Sequence, residues 1–125
     1  IPETYQQIAR CIFESLALRY RQVIGYLQEL APFKIERLHV IGGGTQNHYL
    51  MQMAANSLNM PVLTGPVEGT AIGNIMLQAK AAGLVNDICG MRKMVANSID
   101  MKTYVPEDTT AWSEAYERYI QIVNN

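Results

Sequence analysis

The chain has 125 residues, and its net charge of −1 comes from 10 basic and 11 acidic residues. This length allows at most one domain, and this charge gives no reason to expect nucleic acid or an anionic membrane as a partner. Hydrophobic residues make up 49% and charged residues 17%, the usual balance of a globular protein with one moderate core. No apolar run approaches the roughly 20 residues of a membrane span. We therefore expect a cytoplasmic protein.

The two cysteines, Cys11 and Cys89, are far apart in the sequence and have no Cys/His metal-ligand spacing. We expect both to be buried free thiols in a reducing compartment. The chain opens at Ile1-Pro2, without a methionine and inside a helical pattern. This opening suggests that the chain is a piece of a longer protein.

Residues 3–31 are predicted to form one long helix. Pro2 suits its first turn, and Pro32 ends the pattern. The apolar positions recur at helical spacing and form a broad face (Ile8, Ile12, Leu16, Tyr20 and Val23, with Phe13, Ala17, Ile24 and Leu27 beside them). A face this broad needs a sheet or another helix to cover it.

Two short strands and a helix follow. Residues 34–41 read as a strand with a nearly continuous apolar end. Thr45 is a plausible cap for the next helix, and Asn59 is a plausible left-handed end for it. The apolar residues 60–63 suit a second strand with Pro61 near its start.

The C-terminal half is predicted to be mainly helical. A helix over residues 68–82, with Ile72, Ile75, Met76 and Ala79 as its packing stripe, ends at Gly83. Asp87 caps a short helix that reaches residue 95, residues 98–105 look extended or irregular, and a last helix starts at residues 106–108. The order helix-strand-helix-strand-helix-helix-helix predicts an α/β fold with parallel strands. Because two strands are too few for a stable sheet, we expect only part of a domain.

The glycine triplet Gly42-Gly43-Gly44 lies between the first strand and the second helix. Glycines at this position let a phosphate or nucleotide approach the backbone amides of a helix N-terminus. The Rossmann fingerprint fails here, however, because Asn47 replaces its third glycine and no carboxylate follows about 20 residues later. No Walker Gly-Lys-Ser/Thr sequence is present either. The spacing alone therefore favours a tight turn over a ligand site.

Other polar residues give no catalytic constellation. His39 and His48 are interpreted as structural or surface residues. Glu68 starts a helix, where the helix dipole favours a carboxylate. No general base, nucleophile or metal cluster can be assembled, so we predict no catalytic residue and no metal ligand within this chain.

Several motifs together resemble the C-terminal region of FGGY-family carbohydrate kinases. They are Val-Ile-Gly-Gly-Gly-Thr-Gln-Asn at 40–47, Leu-Met-Gln-Met-Ala-Ala at 50–55, Pro-Val at 61–62 and Gly-Pro-Val-Glu-Gly-Thr-Ala-Ile-Gly-Asn at 65–74. The resemblance covers essentially the whole chain, and the ordered set of motifs is far more specific than the glycine triplet.

This resemblance implies part of the C-terminal domain of an actin-like, ribonuclease-H-like ATPase fold, in which two large domains enclose a cleft. Residues 1–125 would be the C-terminal portion of the nucleotide-binding domain. By position, Gly43 would contact the nucleotide and Asn47 would approach adenine, while Gly42 and Gly44 shape the turn and Gln46 assists. The chemistry agrees, because a side-chain amide can both donate and accept at a purine edge.

The resemblance also implies a reaction for the parent protein: Mg²⁺-dependent transfer of the ATP γ-phosphoryl group to a ketose hydroxyl. L-Rhamnulose is the favoured sugar, and xylulose, fuculose and glycerol remain open. The phosphate loop, the sugar-binding residues and the catalytic aspartate would precede Ile1. We therefore expect no kinase activity from this chain alone, and we expect self-association or packing against the rest of the parent. The alternative is a non-catalytic nucleotide-binding or oligomerisation module.

Overall fold

The computed structural model describes residues 1–123, so the last two residues of the predicted range 1–125 lie outside the described part. In chain order, the elements are α1 (Tyr5–Leu30), β1 (Leu38–Val40), a 3₁₀ helix (Gly43–Gln46), α2 (His48–Leu58), β2 (Val62–Thr64), α3 (Gly69–Ala81), α4 (Ile88–Ser98), β3 (Thr103–Tyr104) and α5 (Thr110–Val123). The predicted α/β class is confirmed, and each predicted helix is present.

The three strands form one sheet in the order β1-β2-β3. The Leu38 N–H donates to the Pro61 carbonyl at 3.0 Å, and the Gly65 N–H donates to the Val40 carbonyl at 2.7 Å. Both strands advance in the same direction along these bonds, so β1 and β2 are parallel as predicted. Strand β1 is three residues long, which is shorter than the predicted range 34–41.

Strand β3 lies within residues 98–105 and agrees with the interpretation of this stretch as extended or irregular, but the sequence does not predict that it joins the sheet. It is only two residues long, Thr103–Tyr104, and a pair of residues is too short to show the alternation that marks a strand. Next to it, the Thr64 N–H donates to the Lys102 carbonyl at 2.8 Å, and the Lys102 N–H donates to the Thr64 hydroxyl oxygen at 3.0 Å. These long-range bonds determine the path of the segment.

The chain divides into two compact units. One contains residues 1–38, residues 47–62 and the chain from Tyr104 onward, and the other contains residues 39–46 and 63–103. In the first unit, helix α1 begins with a capping box in which the Thr4 hydroxyl accepts from the Gln7 N–H at 3.2 Å and the Gln7 side chain accepts from the Thr4 N–H, also at 3.2 Å. This helix therefore starts two residues after the predicted boundary.

Helices α1 and α2 pack closely through small side chains. Ala17 and Ser57 are fully buried, and the Ser57 hydroxyl donates to the Ala17 carbonyl at 3.0 Å. The buried apolar side chains of this unit come almost entirely from α2 and its neighbours (Ala17, Leu50, Met51, Met53, Ala54, Ala55, Leu58 and Val62). The core of this unit thus fixes α2, the helix that follows the glycine turn.

The broad apolar face predicted for α1 is only partly covered. Its Ala17 side packs on α2, but a second stripe along the helix is between 39% and 53% exposed (Ile8, Ile12, Leu16, Val23 and Leu27). Five large apolar side chains in a row on one helix form a surface that a protein normally covers.

In the second unit, helix α3 ends as the sequence predicts. Gly83 has φ +76°, its N–H donates to the Lys80 carbonyl at 3.0 Å, and the Leu84 N–H donates to the Ala79 carbonyl at 2.9 Å. These two bonds form a Schellman motif. The predicted cap of α4 is also confirmed, because the Asp87 carboxylate accepts from the Gly90 N–H at 2.6 Å.

One burial expectation holds in part and another is wrong. In the packing stripe of α3, Ile72, Met76 and Ala79 are half-buried, whereas Ile75 is exposed. Cys11 and Cys89 are free thiols as expected, but both are exposed rather than buried. Helical spacing shows which side chains share a face, but it does not tell which face is covered.

Gly65→Ala is expected to destabilise the fold. A Cβ at this position would lie 2.7 Å from Ile41 Cγ2, so Ile41 must leave its rotamer, and overpacking of this kind lowers the free energy of unfolding by about 1–2 kcal/mol. Urea unfolding of the variant measures the loss. The control is Gly73→Ala, where a Cβ meets nothing within 4 Å inside a helix, and it should be neutral or stabilising by up to about 1 kcal/mol. In the Ile41→Ala background, Gly65→Ala should destabilise the fold much less. If it lowers the free energy of unfolding by the same amount there, the contact with Ile41 is not the cause.

Candidate functional site

The turn after β1 is closed by one glycine with an unusual backbone. Gly42 has φ +93°, a conformation that favours glycine, and its N–H donates to the Pro66 carbonyl at 3.0 Å. The Gly65–Pro66 segment therefore holds the start of the turn through the backbone. Gly42 and the Gly65–Pro66 segment therefore both stabilise the turn.

Thr45 locks the turn and does not cap the following helix, which corrects the sequence prediction. Its hydroxyl donates to the Gly42 carbonyl at 2.7 Å, and its N–H donates to the same oxygen at 3.1 Å. The side chain is only 5% exposed. The prediction failed because a 3₁₀ turn intervenes between the triplet and α2, which moves the cap two residues along the chain.

Gly43 and Gly44 have no structural explanation within the described residues. Neither has a positive φ, and a Cβ on either would meet nothing within 4 Å. Both residues are exposed, as is Gln46 at the end of the same 3₁₀ helix. The backbone of Gly43 and Gly44 is therefore exposed at the surface and is not covered by side chains of residues 1–123. Such a surface lets a ligand approach the peptide groups closely.

Asn47 is the N-cap of α2. Its Oδ1 accepts from the Leu50 N–H at 3.0 Å, and the residue is half-buried. The Nδ2 group makes no hydrogen bond within residues 1–123. The amide can therefore donate a hydrogen bond to a ligand, while Oδ1 keeps a second lone pair, so the donor-and-acceptor role expected from the sequence stays a prediction.

The structure brings Gly42, Gly43, Gly44 and Gln46 together in one turn of the second unit. Asn47 is the next residue, and it belongs to the first unit, where α2 anchors it. Each unit also has a groove. One of about 750 Å³ is lined by α3 and α4, and one of about 440 Å³ is lined by α1, α2 and α5. None of the predicted site residues lines either groove.

One polar pair could not be predicted from the sequence. The His48 Nδ1 lies 2.5 Å from the Tyr104 hydroxyl, and the two rings are stacked with their centroids 6.2 Å apart. The interpretation of His48 as a structural or surface residue agrees with its exposure. Its partner is 56 positions away in a segment that shows no periodicity, so no local pattern could have found it. His39 is also exposed.

The described residues contain no group of three or more His, Cys, Asp or Glu side chains arranged to hold a metal ion. Within the same part of the chain, every helix is too short or too polar to span a membrane.

The glycine turn lies inside a region that matches a family model. Residues 1–82 match the C-terminal domain of the FGGY family of carbohydrate kinases. The chain belongs to the FGGY family of carbohydrate kinases. The expected resemblance is thereby confirmed.

Curated relatives and solved structures agree with the family. The chain is 55% identical to the rhamnulokinase of Bacteroides thetaiotaomicron over 93% of its own length, and 40% identical to that of Pectobacterium atrosepticum over 95%. It covers 24% of each of these relatives, so it spans about a quarter of their length. The crystal structure of gluconate kinase from Lactobacillus acidophilus aligns with a TM-score of 0.74 at 19% identity, over 99% of this chain and 26% of that one. This last likeness concerns the fold.

Proposed function

We propose that this chain is the adenosine-binding portion of an ATP-dependent sugar kinase, with L-rhamnulose and ATP converted to L-rhamnulose 1-phosphate and ADP by the parent protein. The observation that carries the proposal is the FGGY match over residues 1–82, which include a turn whose backbone is open at Gly43 and Gly44. The choice of sugar is supported by the two rhamnulokinase relatives at 55% and 40% identity.

The proposed roles of the site residues are supported by their geometry. Gly43 and Gly44 admit the nucleotide against the backbone, and Gly42 holds the turn through its bond to Pro66. Asn47 donates from Nδ2 to a ring nitrogen of adenine while its Oδ1 stays on the Leu50 N–H. Gln46 contributes an exposed polar side chain. Each of these residues binds or orients the nucleotide, and none takes part in bond making.

The phosphoryl-transfer chemistry belongs to the rest of the parent protein in this proposal. Mg²⁺ neutralises the phosphates during such a transfer, and the described residues hold no cluster that would bind it. The cytoplasm is the proposed location, and the two exposed free thiols suit its reducing conditions.

A second candidate function is a non-catalytic module that associates through α1. The exposed apolar stripe of this helix favours association with something. In the parent kinase we propose that the rest of the chain covers it, since the matched relatives are about four times as long as this chain.

Nucleotide affinity should separate the roles of Gly43 and Asn47. The Cβ of Gly43→Ala would meet nothing within 4 Å among residues 1–123, so this variant should leave the fold intact and weaken ATP binding by steric exclusion. Asn47→Ser keeps a good N-cap but removes the Nδ2 donor, so ATP affinity should fall about five- to tenfold, as for one lost hydrogen bond, with stability nearly unchanged. Calorimetric titration with ATP and thermal unfolding measure the two effects.

Two further variants complete this test. Asn47→Ala should lose the same affinity and also about 1 kcal/mol of stability, because the cap is lost. Gly73→Ala, which adds the same methyl group in helix α3, should bind ATP as the unaltered chain does. Equal ATP affinity in all these proteins contradicts the site, and so does an unaltered chain that shows no saturable binding.

The chain alone should not turn over substrate. A kinase must position the γ-phosphoryl group, the metal and the sugar hydroxyl together, and the expected phosphate loop and catalytic base are not among these residues. A coupled assay of ADP release with ATP, Mg²⁺ and L-rhamnulose should read the same as a blank without protein. Sugar-dependent ADP release by this chain disproves the proposal that phosphoryl transfer needs the rest of the parent protein.

The isolated chain should self-associate through α1. Ile12→Lys places a charge in the exposed apolar stripe and should reduce the apparent mass in concentrated solution. Gln6→Lys adds the same charge at an exposed position of the same helix that is already polar, and it should have little effect. Multi-angle light scattering measures both, and a monomeric unaltered chain at high concentration argues against the stripe as an interface.

A further inference from the structure

Three side chains of α2 form a polar stripe along one side of the helix. His48, Gln52 and Asn56 are spaced four residues apart, which places them one above the other on the helix surface. All three contact the segment of residues 104–107: the His48 Nδ1 lies 2.5 Å from the Tyr104 hydroxyl, the Gln52 Nε2 donates to the Val105 carbonyl at 2.7 Å, and the Asn56 Oδ1 accepts from the Glu107 N–H at 3.0 Å.

These contacts form one network. The Gln52 amide group also donates to the Asn56 Oδ1 at 2.9 Å, so each of these two side chains serves two partners. Pro106, between the two bonded backbone groups, has no N–H to satisfy. Residues 104–107 are therefore bound to α2 along two helical turns, and Tyr104 contacts the N-terminal end of α2.

Tyr104 contacts the N-terminal end of α2, and this end carries Asn47 of the proposed nucleotide site. His48 is the first residue of α2, and Asn47 is its N-cap. The direction in which Asn47 presents its Nδ2 depends on the cap bond to the Leu50 N–H, and that bond depends on the first turn of α2 keeping its geometry. A hydrogen bond on His48 restrains this turn, which otherwise frays readily at a helix terminus.

We propose that Tyr104 is a positioning residue for the nucleotide: through His48 it fixes the first turn of α2, so that Asn47 points its amide at adenine. The inference rests on the proposed function, because it assigns a purpose to Asn47. It extends the nucleotide site to a residue beyond the stretch 1–82 that matches the family model.

The test uses Tyr104→Phe, which keeps the ring that stacks on His48 and removes only the hydroxyl. The amide hydrogen exchange of Leu50, followed by NMR, reads the cap bond of Asn47 directly. It should become about fivefold faster, as for the loss of one hydrogen bond, while Met53 in the middle of α2 keeps its rate. The matched control is Tyr119→Phe, which removes a hydroxyl bonded to Gln22 at 3.2 Å elsewhere in the same unit and should leave Leu50 unchanged.

ATP affinity then shows whether the Tyr104 hydroxyl also affects nucleotide binding. In the unaltered background Tyr104→Phe should weaken ATP binding about threefold to fivefold, and in the Asn47→Ser background it should add nothing further, because residues that act through one another are not additive. His48→Phe removes the same bond from the other side and should reproduce both effects.

Two results overturn the inference while the proposed function stands: an unchanged Leu50 exchange rate, or an unchanged ATP affinity in Tyr104→Phe although Asn47→Ser weakens binding. If Asn47→Ser itself leaves ATP affinity unchanged, the adenine role of Asn47 fails and this inference fails with it. Faster exchange at Leu50 together with the non-additive affinity loss supports it.

Discussion

The glycine turn depends on a short run of backbone hydrogen bonds between β1 and the segment after β2. The Gly65 N–H bonds to Val40 at the end of β1, and the Gly42 N–H bonds to Pro66. Between these two bonds, Ile41 approaches Gly65 so closely that a Cβ there would displace the Ile41 side chain. The backbone of Gly42 must then turn with a positive φ to leave the strand. The two glycine motifs, which are far apart in the sequence, are thus two sides of one turn.

The three glycines of the triplet are present for different reasons. Gly42 is required by its backbone conformation, whereas nothing among residues 1–123 requires a glycine at Gly43 or Gly44. A glycine without a conformational or packing reason weakens a fold, because it adds chain entropy to the unfolded state. In the proposed function, a nucleotide that passes close to the backbone supplies the reason for this pair.

The helices could be predicted from the sequence because their signals are local. Asn59, Gly83 and Asp87 each mark a helix end through residues within a few positions. Strand β3 and the cap at Asn47 could not, since the first depends on bonds to a strand 38 residues away. The second depends on a 3₁₀ turn that shifts the start of α2 past Thr45, which is also a preferred capping residue. For α1, the sequence predicts a broad apolar face that something must cover, and part of this face is exposed. For α3, it does not predict the exposure of Ile75, because apolar periodicity shows which side chains share a face but does not identify the element that covers it.

Asn47 links the folding of the chain to its proposed ligand. A side-chain amide has one acceptor and one donor group, and here the acceptor closes the first turn of α2. The donor is thereby aimed by the same bond that stabilises the helix, so the amide need not lose further rotational freedom when it meets adenine. This preorganisation favours binding, because ordering a flexible polar side chain on contact reduces affinity. The buried core of the first unit is concentrated around α2. In the proposed function, the packing of this helix keeps the Asn47 amide in place for the nucleotide.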